Sequence, residues 1–90
     1  MMTTIEKDIN KTIETQPIRD LNIASYLLAS GEVTLVKTER KENKLVLFHF
    51  TPKNKVELLV DSYYSDTNPL SARNIFNAQR SLKDLIFSGN

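Results

Sequence analysis

The chain has 90 residues, of which 40% are hydrophobic and 26% charged, and its formal net charge is +1. It contains no cysteine, which excludes disulfides, zinc–thiolate sites and thiol nucleophiles. No run approaches the roughly 18 apolar residues of a transmembrane helix, and the start of the chain lacks the apolar segment of a signal peptide. We therefore expect a single soluble, cytoplasmic domain with no membrane partner.

The first 17 residues are polar apart from three isoleucines at every fourth position: Ile5, Ile9 and Ile13. This spacing gives one narrow helical stripe, and Thr3 with Glu6 matches a capping box. A stripe this narrow does not support an isolated helix in water. We therefore expect residues 1–17 to form an arm, either flexible or docked on a partner, and residues 18–90 to form one compact domain.

The body of the chain opens with a helix and a hairpin. Asp20 is a good N-cap for the segment LNIASYLLAS, and Gly31 follows as a C-terminal stop. Residues 32–40 then read as a strand rich in β-branched side chains, and residues 44–50 as the returning strand. The connection KENK lacks the Asn-Gly pair of a tight two-residue loop, so we expect a longer or bulged turn.

Two further helices are predicted after the hairpin. Thr51-Pro52 and Asn68-Pro69 are both helix-start signals, and Gly89 follows the last apolar position. The predicted order is α, β, β, α, α, an α+β fold in which the first helix and two C-terminal helices pack on an antiparallel β-hairpin. The expected core contains Leu21, Leu28, Leu35, Phe48, Val60, Phe76 and Leu82.

The returning strand KLVLFHF is apolar on both faces, because alternate side chains point to opposite sides of a strand. Phe48 and Phe50 share one face, while Leu47 and His49 share the other. The strand could stack RNA bases on its aromatic rings, but it lacks the glycines of that motif, so a core strand is favoured. Its second apolar face needs a cover, either helices on both sides or a second copy. We expect a homodimer held by the sheet or by the arm.

The residues offer little for catalysis. His49 is the only side chain that could act as a base at neutral pH, and it lies within an apolar strand. No His, Cys, Asp or Glu residues have the spacing of a known metal-binding motif. The chain has only two glycines, Gly31 and Gly89, so the sequence contains no glycine-rich phosphate-binding loop. We expect a protein that is not an enzyme and that carries no metal or cofactor.

The last predicted helix carries a polar face with the spacing i, i+4, i+7 and i+11, formed by Arg73, Asn77, Arg80 and Asp84. Such a face could contact phosphates and base edges of DNA or RNA. The alternative is a solvated face on which Arg80 pairs with Asp84. The hairpin turn adds further cations. The predicted nucleic-acid contacts are Arg40, Lys41, Lys44, Arg73, Asn77, Arg80 and Lys83.

A second functional hypothesis is a protein–protein module, such as an adaptor, an inhibitor or a small subunit of a larger protein complex. The near-zero net charge and the apolar residues beyond those that one small core needs favour it. Aromatic side chains dominate interface energies, although Tyr63 has the spacing of a core residue. The predicted interface residues are Ile5, Ile9, Ile13, Tyr64 and Phe87.

Four runs carry a resemblance to a known group of proteins: DLNIASYLLASGEVTLV, LVLFHF, LVDSYYSD and NIFNAQRSLKDLIF. They resemble a family of small bacterial and phage domains catalogued only as of unknown function. The most specific part is the first predicted helix with its cap and stop, from Asp20 to Gly31. The similarity covers roughly residues 18–88. The resemblance implies a compact α+β module, often encoded near mobile elements, with no catalytic residues to assign.

Overall fold

The computed structural model describes residues 14–42 and 45–88. Its elements, in chain order, are β1 (Gln16–Ile18), α1 (Leu21–Ser30), β2 (Thr34–Arg40), β3 (Val46–Thr51), α2 (Lys53–Ser65) and α3 (Ala72–Ser88). This order confirms the predicted α+β class, with the first helix, the hairpin and two C-terminal helices all present. The isoleucine stripe of Ile5, Ile9 and Ile13 lies outside the described residues, as do Lys44 and Gly89.

A short strand, β1, was not predicted. It pairs antiparallel with β3 and completes a three-stranded sheet of order β1-β3-β2, with Gln16 opposite Phe50 and Ile18 opposite Phe48. Gln16 and Pro17 fall within the predicted arm, yet both belong to this strand. Proline cannot donate a ladder hydrogen bond, and it is tolerated here because β1 is at the edge of the sheet.

The ends of α1 form as the sequence predicts. The Asp20 carboxylate accepts hydrogen bonds from the backbone N–H groups of Asn22 and Ile23, at 2.7 and 3.1 Å. Gly31 follows in the left-handed conformation at φ 72°, and its N–H donates to the carbonyl of Leu28. Glycine suits this position because it has no Cβ to clash in that conformation.

The starts of the other two helices differ from the prediction. Pro52 is the N-cap of α2 rather than its first helical residue, and the helix begins at Lys53. The last helix begins after Ser71, whose hydroxyl accepts a hydrogen bond from the N–H of Asn74 at 3.1 Å. The Asn68-Pro69 pair therefore lies in the preceding loop, because the serine supplies the cap that orphan N–H groups need.

The core lies between one face of the sheet and the three helices. Phe48 and Phe50 of the central strand β3 are fully buried there, together with Leu27 of α1, Val56 of α2 and Leu82 of α3. Other members of the cluster are Ile23, Ala24, Tyr26, Val33 and Leu59. The strand face that holds Phe48 and Phe50 is therefore core, and these two rings are not a base-stacking surface.

The predicted core is correct in part. Phe48 and Leu82 are buried, whereas Leu21, Leu28, Leu35 and Val60 are partly buried and pack at its edge. Phe76 was predicted as a core residue, and this is wrong, because 72% of it is exposed. Neighbouring residues on a helix point about 100° apart, so Ile75, which packs on the core, turns Phe76 outward.

Candidate functional site

Two of the three exposed aromatic side chains among the described residues lie on α3, and the third is Tyr64. Phe76 and Phe87 are 72% and 83% exposed. Eleven residues separate them, about three helical turns, so both rings point in the same direction. They border an open groove along the helix together with polar and charged side chains. We call this surface the outer face of α3; it comprises Arg73, Phe76, Asn77, Arg80, Lys83, Asp84 and Phe87.

The rest of α3 fixes the direction of this outer face. Leu82 is fully buried on the opposite side of the helix. The side-chain amide of Gln79 donates to Asn22 on α1 at 3.1 Å. At the other end, the Arg40 guanidinium donates to the backbone carbonyl of Ile86, one of the last carbonyls of the helix, which have no partner within it. These contacts hold α3 in one rotational setting, with both rings and the cations outward.

The cations of the outer face have no partner within the described residues. Arg73, Asn77, Arg80 and Lys83 are all exposed, and none of them forms a hydrogen bond or ion pair there. The predicted pairing of Arg80 with Asp84 is wrong for the same reason. The structure therefore brings four of the seven predicted nucleic-acid contacts onto one surface, and the described part of the chain provides no acceptor for their donor groups.

The hairpin residues predicted to contact phosphates behave differently. Arg40 is engaged with the end of α3, as described above. Lys41 forms an ion pair with Glu39 at 3.1 Å. Lys44 lies outside the described residues. The end of the hairpin therefore adjoins the C-terminal end of α3, but its two described cations already interact with other parts of the protein.

The tyrosines of α2 divide between core and surface. Tyr63 packs against the core, with its ring edge-to-face against Tyr26 at a centroid distance of 5.4 Å. Tyr64 is 72% exposed and borders a shallow depression that also contains Ile18 and Ile23. Of the predicted interface residues, Phe87 therefore lies on the outer face of α3, while Tyr64 lies on another part of the surface.

The sheet face opposite the core carries a chain of polar contacts. The two ring nitrogens of His49 lie 2.9 Å from the Thr15 hydroxyl and 2.8 Å from the Glu39 carboxylate. Glu39 in turn pairs with Lys41. His49 is thus held from both sides, by Glu39 of β2 and by Thr15, the residue that precedes β1. This arrangement explains a histidine in an apolar strand without assigning it a catalytic role.

The same contacts lower the pKa of Glu39 below its ordinary value of 4.5, first through the hydrogen bond from His49 and then through that from Lys41. A carboxylate whose pKa is lower in the folded protein than in the unfolded chain stabilises the fold fully at pH values above its unfolded-state pKa. This stabilisation is lost as the pH falls through the folded-state pKa. We expect Glu39→Gln to reduce the free energy of unfolding at pH 7. This difference from the parent should disappear as pH falls below about 4.5 in urea titrations.

Glu57→Gln is the matched control for this prediction. Glu57 is exposed on α2 and forms no ion pair within the described part of the chain. Its substitution should leave stability nearly unchanged at both pH values. An equal loss at pH 7 and at low pH in Glu39→Gln would show that the ion contacts of Glu39 do not contribute.

Two features are absent from the described residues. No group of three or more His, Cys, Asp or Glu side chains in that part of the chain could hold a metal ion. Among the same residues, no helix has the length and apolar character needed to cross a membrane.

Comparison with known proteins gave one match. A family model described as a domain of unknown function (DUF5659) matches residues 10–88. The match confirms the resemblance inferred from the sequence. It begins at residue 10, whereas the resemblance was inferred from roughly residue 18 onward. No curated protein and no solved structure matches the chain.

Proposed function

The chain belongs to a family described only as a domain of unknown function, and we propose from the geometry of α3 that it binds nucleic acid. In this proposal it is a non-catalytic accessory protein of a bacterial or phage nucleic-acid system and acts in the cytoplasm. One observation carries the proposal. The outer face of α3 combines two exposed phenylalanine rings with three cations that have no ion pair or hydrogen bond to any other described residue.

The cations supply the electrostatic part of binding. Arg73, Arg80 and Lys83 face solvent along one side of a single helix, with Asp84 as the one acidic residue among them. Neutralising phosphates with such side chains releases condensed counterions, which drives association and makes it sensitive to salt. Among residues 14–42 and 45–88, no ion pair has to be broken before these side chains reach a phosphate.

The phenylalanine rings favour a single strand over a duplex. Proteins that bind single-stranded DNA or RNA combine a positive groove with aromatic rings on which unpaired bases stack. Phe76 and Phe87 flank Arg80 and Lys83 and lie about 16 Å apart along the helix axis. A duplex keeps its bases stacked inside and offers no such contact. We therefore propose a short single-stranded segment as the ligand.

The test is a titration of a fluorescent single-stranded oligonucleotide at several salt concentrations, read by anisotropy. Each neutralised phosphate contributes about −0.7 to the slope of log K against log salt. Arg80→Ala and Lys83→Ala should each reduce the magnitude of that slope by about 0.7. Phe87→Ala should weaken binding by about 1–3 kcal/mol and leave the slope unchanged, because its contribution is stacking.

Lys53→Ala provides the matched control, since Lys53 is exposed at the start of α2, away from the outer face of α3. Its loss should leave the salt slope as it is in the parent. Equal effects of Lys53→Ala and Arg80→Ala would indicate diffuse attraction rather than a site. Absence of binding at low salt would refute the proposal.

The exposed ring of Tyr64 favours a second candidate, a protein–protein module. This ring borders a depression of mixed polar and apolar lining that includes Ile18 and Ile23, and exposed aromatic side chains often anchor protein contacts. The two candidates differ in their response to salt and to substitution. The protein–protein module would be favoured over nucleic-acid binding if the protein bound a purified protein partner, if this binding did not change with salt, and if Tyr64→Ala abolished it.

A further inference from the structure

We infer that the C-terminal part of the outer face of α3 recognises a guanine base. Phe87 is the ring on which the base stacks, and Lys83 and Asp84 are the groups that contact its edge. The inference deepens the proposed function, on which the single-stranded form of the ligand rests. It also gives a role to Asp84, an acidic side chain that phosphate binding alone leaves unexplained.

Three side chains near the C-terminal end of α3 are neighbours on the helix surface. Lys83 and Asp84 precede Phe87 by four and three residues, and residues at these spacings lie about one turn apart on the same side of a helix. At about 100° per residue, Lys83 is turned about 40° to one side of Phe87 and Asp84 about 60° to the other. All three line the same groove. A base stacked on the exposed Phe87 ring therefore meets a cation and a carboxylate along the turn that precedes the ring.

The Asp84 carboxylate is available to accept hydrogen bonds. The side chain is exposed, and within residues 14–42 and 45–88 it has no ion pair or hydrogen bond. An ionised carboxylate only accepts, and its two oxygens can take a pair of parallel N–H bonds. A negative charge among cations repels phosphate, so attraction of the nucleic-acid backbone does not account for Asp84. Recognition of N–H groups on a base edge accounts for it.

Guanine is the base whose edge matches these two groups. Its Watson–Crick edge carries the O6 acceptor, the N1–H donor and the N2–H₂ donor in that order, and this edge is free in a single strand. O6 accepts from Lys83, while N1–H and N2–H donate to the two oxygens of Asp84. Uracil and thymine place a second carbonyl oxygen against the carboxylate. Adenine and cytosine have a ring-nitrogen acceptor, and not a donor, at the centre of this edge.

Guanine recognition is compatible with phosphate contacts on the same face. The Lys83 ammonium has three donors, so it can donate to O6 and still reach a phosphate. Arg73 and Arg80 lie nearer the N-terminal end of α3 and remain available for the backbone of the strand. The ring of Phe76, about 16 Å from Phe87 along the helix axis, stacks a second base.

Two fluorescent oligonucleotides of equal length test the inference on the full chain: an oligothymidine, and the same strand with one central guanine. Anisotropy titrations should show that the parent binds the guanine strand about 5- to 150-fold more tightly, the range expected for one bidentate base contact. Hypoxanthine in place of guanine lacks only the N2 amino group, so this strand should bind with intermediate affinity. Equal binding of all three strands would overturn the inference.

Asp84→Asn tests the carboxylate itself, because the amide replaces one acceptor oxygen by a donor. This variant should bind the guanine strand and oligothymidine equally. Its affinity for oligothymidine should not fall, since a charge that repels phosphate is removed. Asp61→Asn makes the same change at an exposed site on α2 and is the matched control, which should keep the preference of the parent. If Asp84→Asn strengthened binding to both strands by one factor and kept the preference, Asp84 would act only through its charge and the inference would be wrong.

Competition with free GMP separates this inference from the proposed function. GMP that competes much more weakly than the guanine strand supports both, because the strand then contributes through its other nucleotides. Full displacement by GMP, with no affinity for oligothymidine, supports the guanine site and refutes single-stranded nucleic acid as its ligand. Equal binding of the guanine strand and oligothymidine by the parent overturns the guanine site and leaves the proposed function in place. If neither strand nor GMP binds, both are overturned.

Discussion

Replacing Phe48 with alanine should reduce the free energy of unfolding by about 3–5 kcal/mol, which is a large part of the total stability of a small domain. Phe48 lies on the central strand of the sheet and is only 1% exposed, with side chains from all three helices in the same buried cluster. Truncation removes its transfer free energy and leaves a cavity that the three helices cannot fill without shifting. Urea denaturation followed by circular dichroism measures the loss.

Phe76→Ala is the matched control, because it removes the same side chain from an exposed site. It should change the free energy of unfolding by less than about 0.5 kcal/mol. If Phe48→Ala unfolded at the same urea concentration as the parent, the assignment of the core to this face of the sheet would be wrong.

Leu82→Ala should destabilise the protein by about 2–5 kcal/mol. Leu82 is fully buried and is the member of the buried core cluster that α3 contributes, while Ile75 and Ile86 pack on the cluster from its edge. Without Leu82, α3 loses its most deeply buried contact with the core, and the direction of its outer face is held less firmly. We expect the variant to lose stability and, where it still folds, to bind oligonucleotide more weakly. Thermal unfolding and the anisotropy titration together measure these two effects.

Phe87→Ala on the same helix separates folding from binding. This ring is 83% exposed, so its removal should leave the melting temperature close to that of the parent. A loss of stability in Phe87→Ala comparable to that in Leu82→Ala would show that the outer face of α3 is covered by other parts of the protein under the conditions of the experiment.

The fold class and most of its elements follow from local patterns in the sequence. The Asp20 cap and the Gly31 stop are local, since each depends on hydrogen bonds and backbone angles within a few residues. The alternation of KLVLFHF likewise predicted a core strand, with Phe48 and Phe50 on one face. These features follow from short-range chemistry, so a single sequence is sufficient to predict them.

Which residues of α3 face the core depends on contacts between elements that are distant in the sequence. Ile75, Phe76, Leu82 and Phe87 are all apolar, and helical spacing alone allows more than one face to be buried. The contacts of Leu82 with the core, of Gln79 with α1 and of Arg40 with the end of α3 select one rotation. In that rotation Phe76 faces solvent at the candidate site and not the core in which it was predicted.

The strand β1 and the contacts of His49 were also decided by tertiary structure. A three-residue strand containing Pro17 has no periodic pattern to detect, and it exists because β3 offers a free edge beside it. The partners of His49, Thr15 and Glu39, are 34 and 10 residues away in the chain and meet it only when the sheet forms. Contacts between residues so distant in sequence depend on the assembled fold, and no local pattern encodes them.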